Sequence, residues 1–284
     1  MEANLRLSML QMTSHNTHGM NIATLRDAAE QAAMDGAQML ALPEAAGLMD
    51  RDKDHAWAQI TAEADDPFLA ACCALARAHG LWIQAGSTPV RAPDGRVFNH
   101  ATLIDPAGNL TEHYDKIHLF DVFLEGRAPT GESARYSPGT EAVVAETPWG
   151  TMGLSICYDL RFPHLYRDYA KVGAGVMFVP SAFTVPTGRA HWEVLLRARA
   201  IENGAWVVAA AQVGQHADGR VTWGHSLIIS PWGEVLVDLG GDTPRQVTFD
   251  LDMTQVASAR QQIPSLKNER HYTLRIGSSR DAAE

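Results

Sequence analysis

The chain alternates short apolar runs with longer segments in which apolar residues recur every three or four positions. Short apolar runs are typical of buried strands, and the longer periodicity is typical of helices with one buried face. The pattern predicts strands over residues 6–12, 39–44, 81–88 and 176–180, and helices over 21–38, 66–79 and 189–204. Interleaved strands and helices predict an α/β fold in which helices cover the faces of the sheets.

Three segments carry a Pro/Gly turn between two apolar arms: "FNHATLIDPAGNLTEHYDK", "VVAETPWGTMGLSIC" and "HSLIISPWGEVLVDL". Such segments predict β-hairpins, so the sheets should be mixed rather than wholly parallel. A short helix is predicted between Pro163 and Gly173. Because no repeat, linker or shift in composition divides the chain, we expect one domain over residues 1–284. Its core should cover about 5–260, with a looser tail over about 264–284.

Composition excludes several classes of function. With 284 residues, 46% of them apolar, the chain can bury one large core. A net charge of −10 argues against nucleic-acid binding, which needs clustered Lys and Arg. No apolar run approaches the roughly 20 residues that span a bilayer, and the first residues lack the pattern of a signal peptide. We therefore expect a cytoplasmic protein that binds neither nucleic acid nor membrane.

The cysteines and histidines indicate neither a disulfide framework nor a metal site. There are three cysteines, two of them adjacent at Cys72 and Cys73, which fits a reducing compartment. The 12 histidines include no His-x3-His pair, and no Cys-x2-Cys pair occurs, so zinc is not expected.

Polar residues stand where several predicted strands end. Glu44 closes "ALPE", Lys116 closes a hairpin arm, Cys157 closes "GLSIC", and Ser181 to Phe183 follow "VMFVP". Catalytic groups of α/β proteins gather beyond the carboxyl ends of strands, so these side chains are candidates for one site.

Their chemistry is complementary. A free thiol, with a pKa of about 8.5, is mostly protonated at neutral pH and needs a base to become a nucleophile. A carboxylate can take that proton, and an ammonium can stabilise the oxyanion of a tetrahedral intermediate. The backbone N–H of Tyr158, directly after the cysteine, is a natural second donor to the oxyanion.

Three blocks of the sequence resemble the signatures of the nitrilase superfamily of carbon–nitrogen hydrolases: "ALPE", "YDKIHLFD" and "GLSICYDLRFP", in that family's order. The resemblance implies a four-layer αββα sandwich that pairs into an eight-layer homodimer. It also implies cofactor-free hydrolysis through a thioester, with Cys157 as nucleophile, Glu44 as general base and Lys116 as stabiliser of the transition state. Glu132 in "GESARYSPG" matches the family's supporting carboxylate and would orient Lys116.

The segment "VPTGRAHWEVLLRARAIE", followed by "AAAQ", is similar to the amidases related to the Nit proteins, in particular the deaminated glutathione amidase branch. That resemblance implies a small amide substrate that carries carboxylates. Arg161 is the candidate carboxylate ligand, because its guanidinium offers forked donors. The family comparison places Phe183 and Thr187 on the loop that lines the acyl pocket. Arg189 adds a cation to the same loop, and the sequence leaves open whether it faces the pocket.

Each assignment has a purely structural alternative. A lone cysteine is most often an inert core residue. Glu44, Lys116 and Glu132 could be solvated residues of turns and loops, and Arg161 could merely pair with Asp159. Among functions, an omega-amidase acting on 2-keto acid amides is the first alternative. An N-carbamoyl amino acid amidohydrolase, a nitrilase and a non-catalytic scaffold follow it.

Overall fold

A computed structural model of the chain describes residues 2–123 and 130–276. Three longer helices of 13 to 19 residues and four short ones of 4 to 9 residues form in these residues. The helices are α1 (His18–Met34), α2 (Lys53–Gln59), α3 (Pro67–His79), α4 (Pro163–Lys171), α5 (Val185–Asn203), α6 (Thr254–Gln262) and α7 (Ser265–Asn268). Single 3-10 turns cover Glu63–Asp65, Glu132–Ala134 and Cys157–Arg161.

The strands form two large mixed sheets and two small hairpins. They are β1 (Asn4–Gln11), β2 (Met39–Ala41), β3 (Trp82–Gln84), β4 (Thr88–Arg91), β5 (Val97–Ile104), β6 (Leu110–Asp115), β7 (Asp121–Val122), β8 (Thr130–Gly131), β9 (Val144–Thr147), β10 (Gly150–Leu154), β11 (Val176–Phe178), β12 (Trp206–Ala209), β13 (Val213–Gln215), β14 (Val221–Trp223), β15 (Leu227–Ile229), β16 (Val235–Asp238) and β17 (Arg245–Asp252). The first sheet has the order β17-β1-β2-β3-β5-β4, with β6 also paired to β5. The second has the order β16-β15-β12-β11-β10-β9.

The layers follow from the alternation of side chains along the strands. In β2, Met39 and Ala41 enter the core between the two sheets, whereas Leu40 packs with α1 and α3 on the outer face. The second sheet is covered by α4 and α5, whose buried residues, such as Tyr169 and Leu196, belong to the same large core. The result is the predicted αββα sandwich, and the three predicted hairpins form as β5–β6, β9–β10 and β15–β16.

Two predicted helix boundaries were wrong. Helix α1 ends at Met34 rather than at residue 38, because Gly36 adopts a positive φ of 71° and stops the helix. Helix α5 begins at Val185 rather than at residue 189, because Pro186 fits the first turn of a helix, where no backbone N–H is needed. Thr187 and Arg189, which were expected on a loop, therefore lie in the opening turns of α5.

The two ends of the described chain meet in the first sheet. Strand β1 pairs antiparallel with β17 along its whole length, from Asn4 opposite Asp252 to Gln11 opposite Arg245. Within the described residues, no helix combines the length and the apolar character needed to cross a membrane. Part of the expected C-terminal tail, residues 277–284, lies outside the described residues.

Candidate active site

Glu44 is held in a tight loop after β2. Gly86, with a φ of 63°, packs against this loop so closely that a Cβ there would lie 1.9 Å from the Pro43 carbonyl oxygen. Ala45 takes a positive φ of 57°, and its N–H donates to Ser87 Oγ. The Gln212 amide donates to the Glu44 carbonyl oxygen at 2.9 Å. The backbone on both sides of Glu44 is therefore fixed by packing and hydrogen bonds.

Lys116 directly follows β6 and is 2% exposed. Its ammonium lies 2.9 Å from Glu44 Oε1, and 3.1 and 2.9 Å from the two carboxylate oxygens of Glu132. Glu132 is held in turn by the Phe120 N–H, which donates to its Oε2 at 2.7 Å. A buried ammonium between two carboxylates has the partners that a buried charge requires.

Cys157 begins the 3-10 turn that follows β10, and its φ of 50° lies in the left-handed region. Such a conformation costs a non-glycine residue on the order of 1–3 kcal/mol, so its surroundings must enforce it. The Cys157 N–H donates to the Pro180 carbonyl oxygen at 3.0 Å, and the Ile156 N–H donates to Asp159 Oδ2 at 2.8 Å. These bonds turn the chain sharply at the end of the strand and aim the thiol at Glu44.

The three predicted residues meet through Glu44. Its carboxylate accepts hydrogen bonds from the Lys116 ammonium, the Asn99 amide at 2.9 Å and the Ala182 N–H at 2.8 Å. The Cys157 thiol lies beside the same carboxylate, and each group shifts the pKa of the other. The side chains of Glu44, Lys116, Asn99 and Cys157 are buried, so water has little access to them.

Charges in the site hold the thiol neutral and Glu44 ionised. Burial by itself would raise the pKa of Glu44, but the Lys116 charge and the hydrogen bonds from Lys116, Cys157 and Asn99 hold it below its usual value. Burial and the Glu44 charge raise the pKa of the Cys157 thiol well above its usual value, against the opposing effect of Lys116. Burial alone would lower the pKa of Lys116, but Glu132 and Glu44 raise it.

Tyr158 and Arg161 lie in the same turn as Cys157. Among the described residues, none accepts a hydrogen bond from the Tyr158 N–H. The Arg161 guanidinium lies over the rings of Tyr158 and Phe183, and its terminal nitrogens approach His191 Nδ1 at 3.3 Å. No carboxylate of the described residues pairs with Arg161, so the alternative pairing with Asp159 does not form.

The remaining predicted residues differ in their surroundings. Phe183 is buried, and its ring centroid lies 4.8 Å from that of Trp192. The Thr187 hydroxyl is within hydrogen-bond distance of the Thr184 hydroxyl, at 2.9 Å. Arg189 is exposed, with its guanidinium 5.7 Å from the centroid of the Trp223 ring.

Sequence reasoning missed two side chains that organise the site. The Asn99 amide nitrogen donates both to Glu44 Oε1 at 2.9 Å and to Glu132 Oε1 at 3.2 Å. The Asp159 carboxylate accepts from the Tyr114 hydroxyl, the Ile156 N–H and the His118 N–H. A polar residue inside the otherwise apolar arm of a hairpin was the available signal for Asn99, since buried polar groups need partners. In the part of the chain that the structure describes, no group of His, Cys, Asp and Glu residues could hold a metal ion.

Comparison with known proteins defines the class. The family model described as carbon–nitrogen hydrolase matches residues 6–261, and the chain belongs to this family. It is therefore a hydrolase of carbon–nitrogen bonds other than peptide bonds. A deaminated glutathione amidase of Yersinia enterocolitica is 37% identical over 99% of this chain and 98% of its own length. The omega-amidase NIT2 of Xenopus tropicalis is 35% identical over 95% of this chain and 96% of its own.

Solved structures show the same fold. The NitFhit protein of C. elegans superposes with a TM-score of 0.86 at 36% identity and is matched over 94% of this chain. This chain spans 65% of that longer protein. A mutant of the Nesterenkonia sp. AN1 amidase superposes with a TM-score of 0.78 at 28% identity, over 94% of each chain. That structure is described as showing covalent addition of the acetamide moiety of fluoroacetamide at the active-site cysteine.

Proposed function

We propose that this protein is a cysteine-dependent amidase that hydrolyses the linear amide of a small carboxylate-bearing substrate through a thioester. The observation that carries the proposal is the contact of a buried thiol with a carboxylate whose charge is fixed by Lys116. The covalent adduct described for the Nesterenkonia amidase supports a cysteine nucleophile in this fold.

In the first half of the reaction, Glu44 takes the thiol proton as Cys157 Sγ attacks the amide carbonyl carbon. The carbonyl electrons move to oxygen, where the Lys116 ammonium and the Tyr158 N–H stabilise the negative charge. Collapse of this intermediate breaks the carbon–nitrogen bond, and the proton on Glu44 passes to the leaving nitrogen. Ammonia or an amine departs, and the acyl group remains on Cys157 as a thioester.

In the second half, Glu44 is again a carboxylate and takes a proton from water, whose oxygen attacks the thioester carbonyl. The same donors stabilise the second oxyanion. The carbon–sulfur bond then breaks, and the proton held by Glu44 returns to sulfur. The sum is amide plus water giving a carboxylic acid plus ammonia or an amine, with the enzyme restored.

For the substrate we propose deaminated glutathione first, because relatives of this name match nearly the whole chain. Arg161 supports a substrate with a carboxylate, since its guanidinium has no carboxylate partner in the described residues and lies over two aromatic rings next to Cys157. An omega-amide of a 2-keto acid ranks second, supported by the omega-amidase relative. An N-carbamoyl amino acid ranks third, and a nitrile is the remaining substrate for the same three side chains.

The test is kcat/KM on purified protein across deaminated glutathione, 2-ketoglutaramate, an N-carbamoyl amino acid and a nitrile. Cys157→Ala should abolish turnover of the best substrate and leave the unfolding temperature unchanged. Cys73→Ala on α3 is the matched control and should keep full activity. Hydrolysis retained by Cys157→Ala would overturn the proposal, and higher kcat/KM for 2-ketoglutaramate would overturn the substrate ranking.

We also propose that a second copy of the chain covers the outer face of α5. Val194 and Ile201 lie seven residues apart on that helix, hence on one face, and both are more than half exposed. Ile201 adjoins the β15–β16 turn at Gly233, and the neighbouring half-exposed Trp232 adds a third exposed apolar side chain. Sedimentation should show a dimer that Val194→Lys combined with Ile201→Glu converts to a monomer. A monomeric parent protein would contradict this.

A further inference from the structure

A charged cluster around the buried His100 lies directly behind the active site. His100 follows Asn99 on β5, and Asp115 precedes Lys116 at the end of β6. Since successive side chains of a strand point to opposite faces, His100 faces away from the site that Asn99 enters. His100 Nδ1 lies 2.7 Å from Asp115 Oδ1, and its Nε2 lies 2.9 Å from Glu63 Oε2.

The geometry fixes the protonation of His100. Each of its ring nitrogens faces a carboxylate oxygen, and a carboxylate can only accept hydrogen bonds, so both nitrogens must donate. Only the imidazolium has two N–H groups. The groups facing it are Glu63, Asp115, the more distant Asp66 and the ring of His113, which stacks on it at 5.1 Å. Burial opposes the charge, but Asp115 and Glu63 raise the pKa of His100 above its usual value.

The cluster sits at the last rung of the β5–β6 hairpin. His100 and Asp115 are directly opposite each other in the strand register, and β6 ends there. One residue further, the Lys116 N–H donates to the Asn99 carbonyl oxygen at 3.0 Å, and the Gly139 N–H donates to the Lys116 carbonyl oxygen at 2.9 Å. The side chains of Asn99 and Lys116 then contact both Glu44 and Glu132. The His100–Asp115 ion pair therefore joins β5 and β6 directly beside Asn99 and Lys116, the two residues whose side chains enter the site.

We propose that His100 and Asp115 are positioning residues for the amidase reaction, and that their ion pair holds Asn99 and Lys116 in register with Glu44 and Glu132. This inference rests on the proposed function of Glu44, Lys116 and Cys157. Glu63 binds the other ring nitrogen of His100, so the 3-10 turn Glu63–Asp65 also helps to hold the His100 ring in place.

The variants that test it are His100→Gln and Asp115→Asn, which keep size and polarity but remove the ion pair. Each should lower kcat about 10- to 100-fold, the range found when groups that orient a catalytic residue are lost, with KM changed less than about threefold. The kcat of the double variant should be no lower than that of the worse single variant, because each single substitution already breaks the same His100–Asp115 ion pair. His79→Gln is the matched control, since His79 lies in the last turn of α3, at the end of that helix opposite to the Glu63–Asp65 turn.

The pH profile separates positioning from a general loss of packing. In the parent enzyme, kcat/KM should fall on the alkaline side as His100 loses its proton. Asp115→Asn should move that fall to lower pH by about one unit or more, and His100→Gln should remove it. Wild-type kcat in folded His100→Gln, or an alkaline fall that neither variant moves, would overturn the inference. So would losses that multiply in the double variant.

A second readout does not depend on the substrate. Alkylation of Cys157 by iodoacetamide at pH 7, followed by peptide mass spectrometry, reports how Glu44 and Lys116 surround the thiol. It should slow in both ion-pair variants and stay unchanged in His79→Gln. If no amide is turned over by the parent enzyme, the proposed function fails. Unchanged alkylation in folded ion-pair variants refutes the positioning inference alone.

Discussion

In the resting site, the buried Cys157 thiol lies beside the Glu44 carboxylate and holds the proton that the carboxylate lacks. Burial and the nearby negative charge raise the pKa of the thiol, whereas Lys116 and Asn99 help to hold the pKa of Glu44 low. The free enzyme therefore does not store a thiolate. In the proposed mechanism the proton moves only when a carbonyl carbon is present to accept the sulfur electrons, so the neutral thiol would resist oxidants between turnovers.

Glu44→Gln should lower kcat about 10²- to 10⁴-fold, because an amide can neither take the thiol proton nor activate water. The side chain keeps its size, and its single amide oxygen, placed at the Oε1 position, can still accept from Lys116 and Asn99, so the fold should persist although the Ala182 N–H loses its acceptor. Ammonia release measures the effect. Glu193→Gln, a substitution at an exposed position of α5, is the control and should leave the rate of ammonia release unchanged. A Glu44→Gln rate within tenfold of the parent would exclude Glu44 as the base.

Asn99→Ala and Asn99→Asp should differ in their pH profiles. Asn99→Ala removes the amide that donates to both the Glu44 and the Glu132 carboxylates, and this should lower kcat. Because these buried carboxylates each lose a hydrogen bond, the substitution should also lower the free energy of unfolding by about 1–3 kcal/mol. Aspartate adds a third carboxylate beside Glu44 and Glu132, and like charges raise carboxyl pKa values. The acid-side fall of kcat/KM should therefore move to higher pH in Asn99→Asp only.

Asn109→Asp, in the exposed turn of the same hairpin, is the control for added charge and should leave the profile in place. An acid-side fall at the same pH in Asn99→Asp and the parent would show that Asn99 does not contact the ionising group in solution.

Arg161→Gln should raise KM for a carboxylate-bearing substrate about tenfold to a hundredfold, because a hydrogen bond to a charged group contributes about 1.5–3 kcal/mol. Turnover of a neutral amide should change little, since that substrate has no carboxylate to bind. Arg189→Gln is the paired control, as Arg189 is exposed and stacks on Trp223. Equal losses on charged and neutral substrates would assign Arg161 a structural function instead.

Two buried histidines should affect stability with opposite signs. The pKa of His100 is raised above its usual 6.5, so its ion pair contributes stability below pH 6.5 that is lost as pH rises through the folded pKa. Chemical unfolding of the parent and His100→Gln should give a difference in unfolding free energy that shrinks as pH rises above 6.5. A difference independent of pH would contradict the charged form of His100.

His216 should behave in the opposite way. Burial lowers its pKa below the usual 6.5, so the folded state loses stability as pH falls through 6.5 and the unfolded chain takes up the proton. Its neutral ring lies 3.0 Å from the Ser14 carbonyl oxygen and 2.8 Å from the Thr222 hydroxyl. His216→Gln should therefore unfold with a weaker dependence on pH between 5 and 6.5 than the parent, measured by the same titration.

The α/β class, the hairpins and the three central side chains could be predicted from sequence because each has a local signal, whereas the αββα layering was implied by the family resemblance. Strand and helix periodicity, the Pro/Gly turns, and polar residues at strand ends predicted comparable positions for Glu44, Lys116 and Cys157. Helix α2 gave no such signal, since it is seven residues long, buries only Ala56 and depends on capping by Asp52. Short helices of this kind are formed by context more than by pattern.

The residues that hold the three central side chains in place could not be predicted from the sequence, for a different reason. The Asn99 amide donates to Glu44 and Glu132, which lie 55 and 33 positions away in the sequence. The Asp159 carboxylate accepts a hydrogen bond from Tyr114, which lies 45 positions away. Such contacts depend on how strands from different segments align, and hydrophobic periodicity does not specify it. His100 illustrates the limit, because its ring is bracketed by carboxylates 37 positions before it and 15 after it.

The pairing of β1 with β17 has a consequence for biosynthesis. Strand β1 leaves the ribosome before the other described strands, yet one of its two neighbours comprises residues 245–252, so the first sheet cannot be completed until β17 has been made. Until then β1 remains an edge strand with unpaired backbone groups, open to pairing with another nascent chain. A stop codon before Arg245 would therefore yield an aggregating polypeptide, although every side chain of the proposed catalytic site would already have been translated.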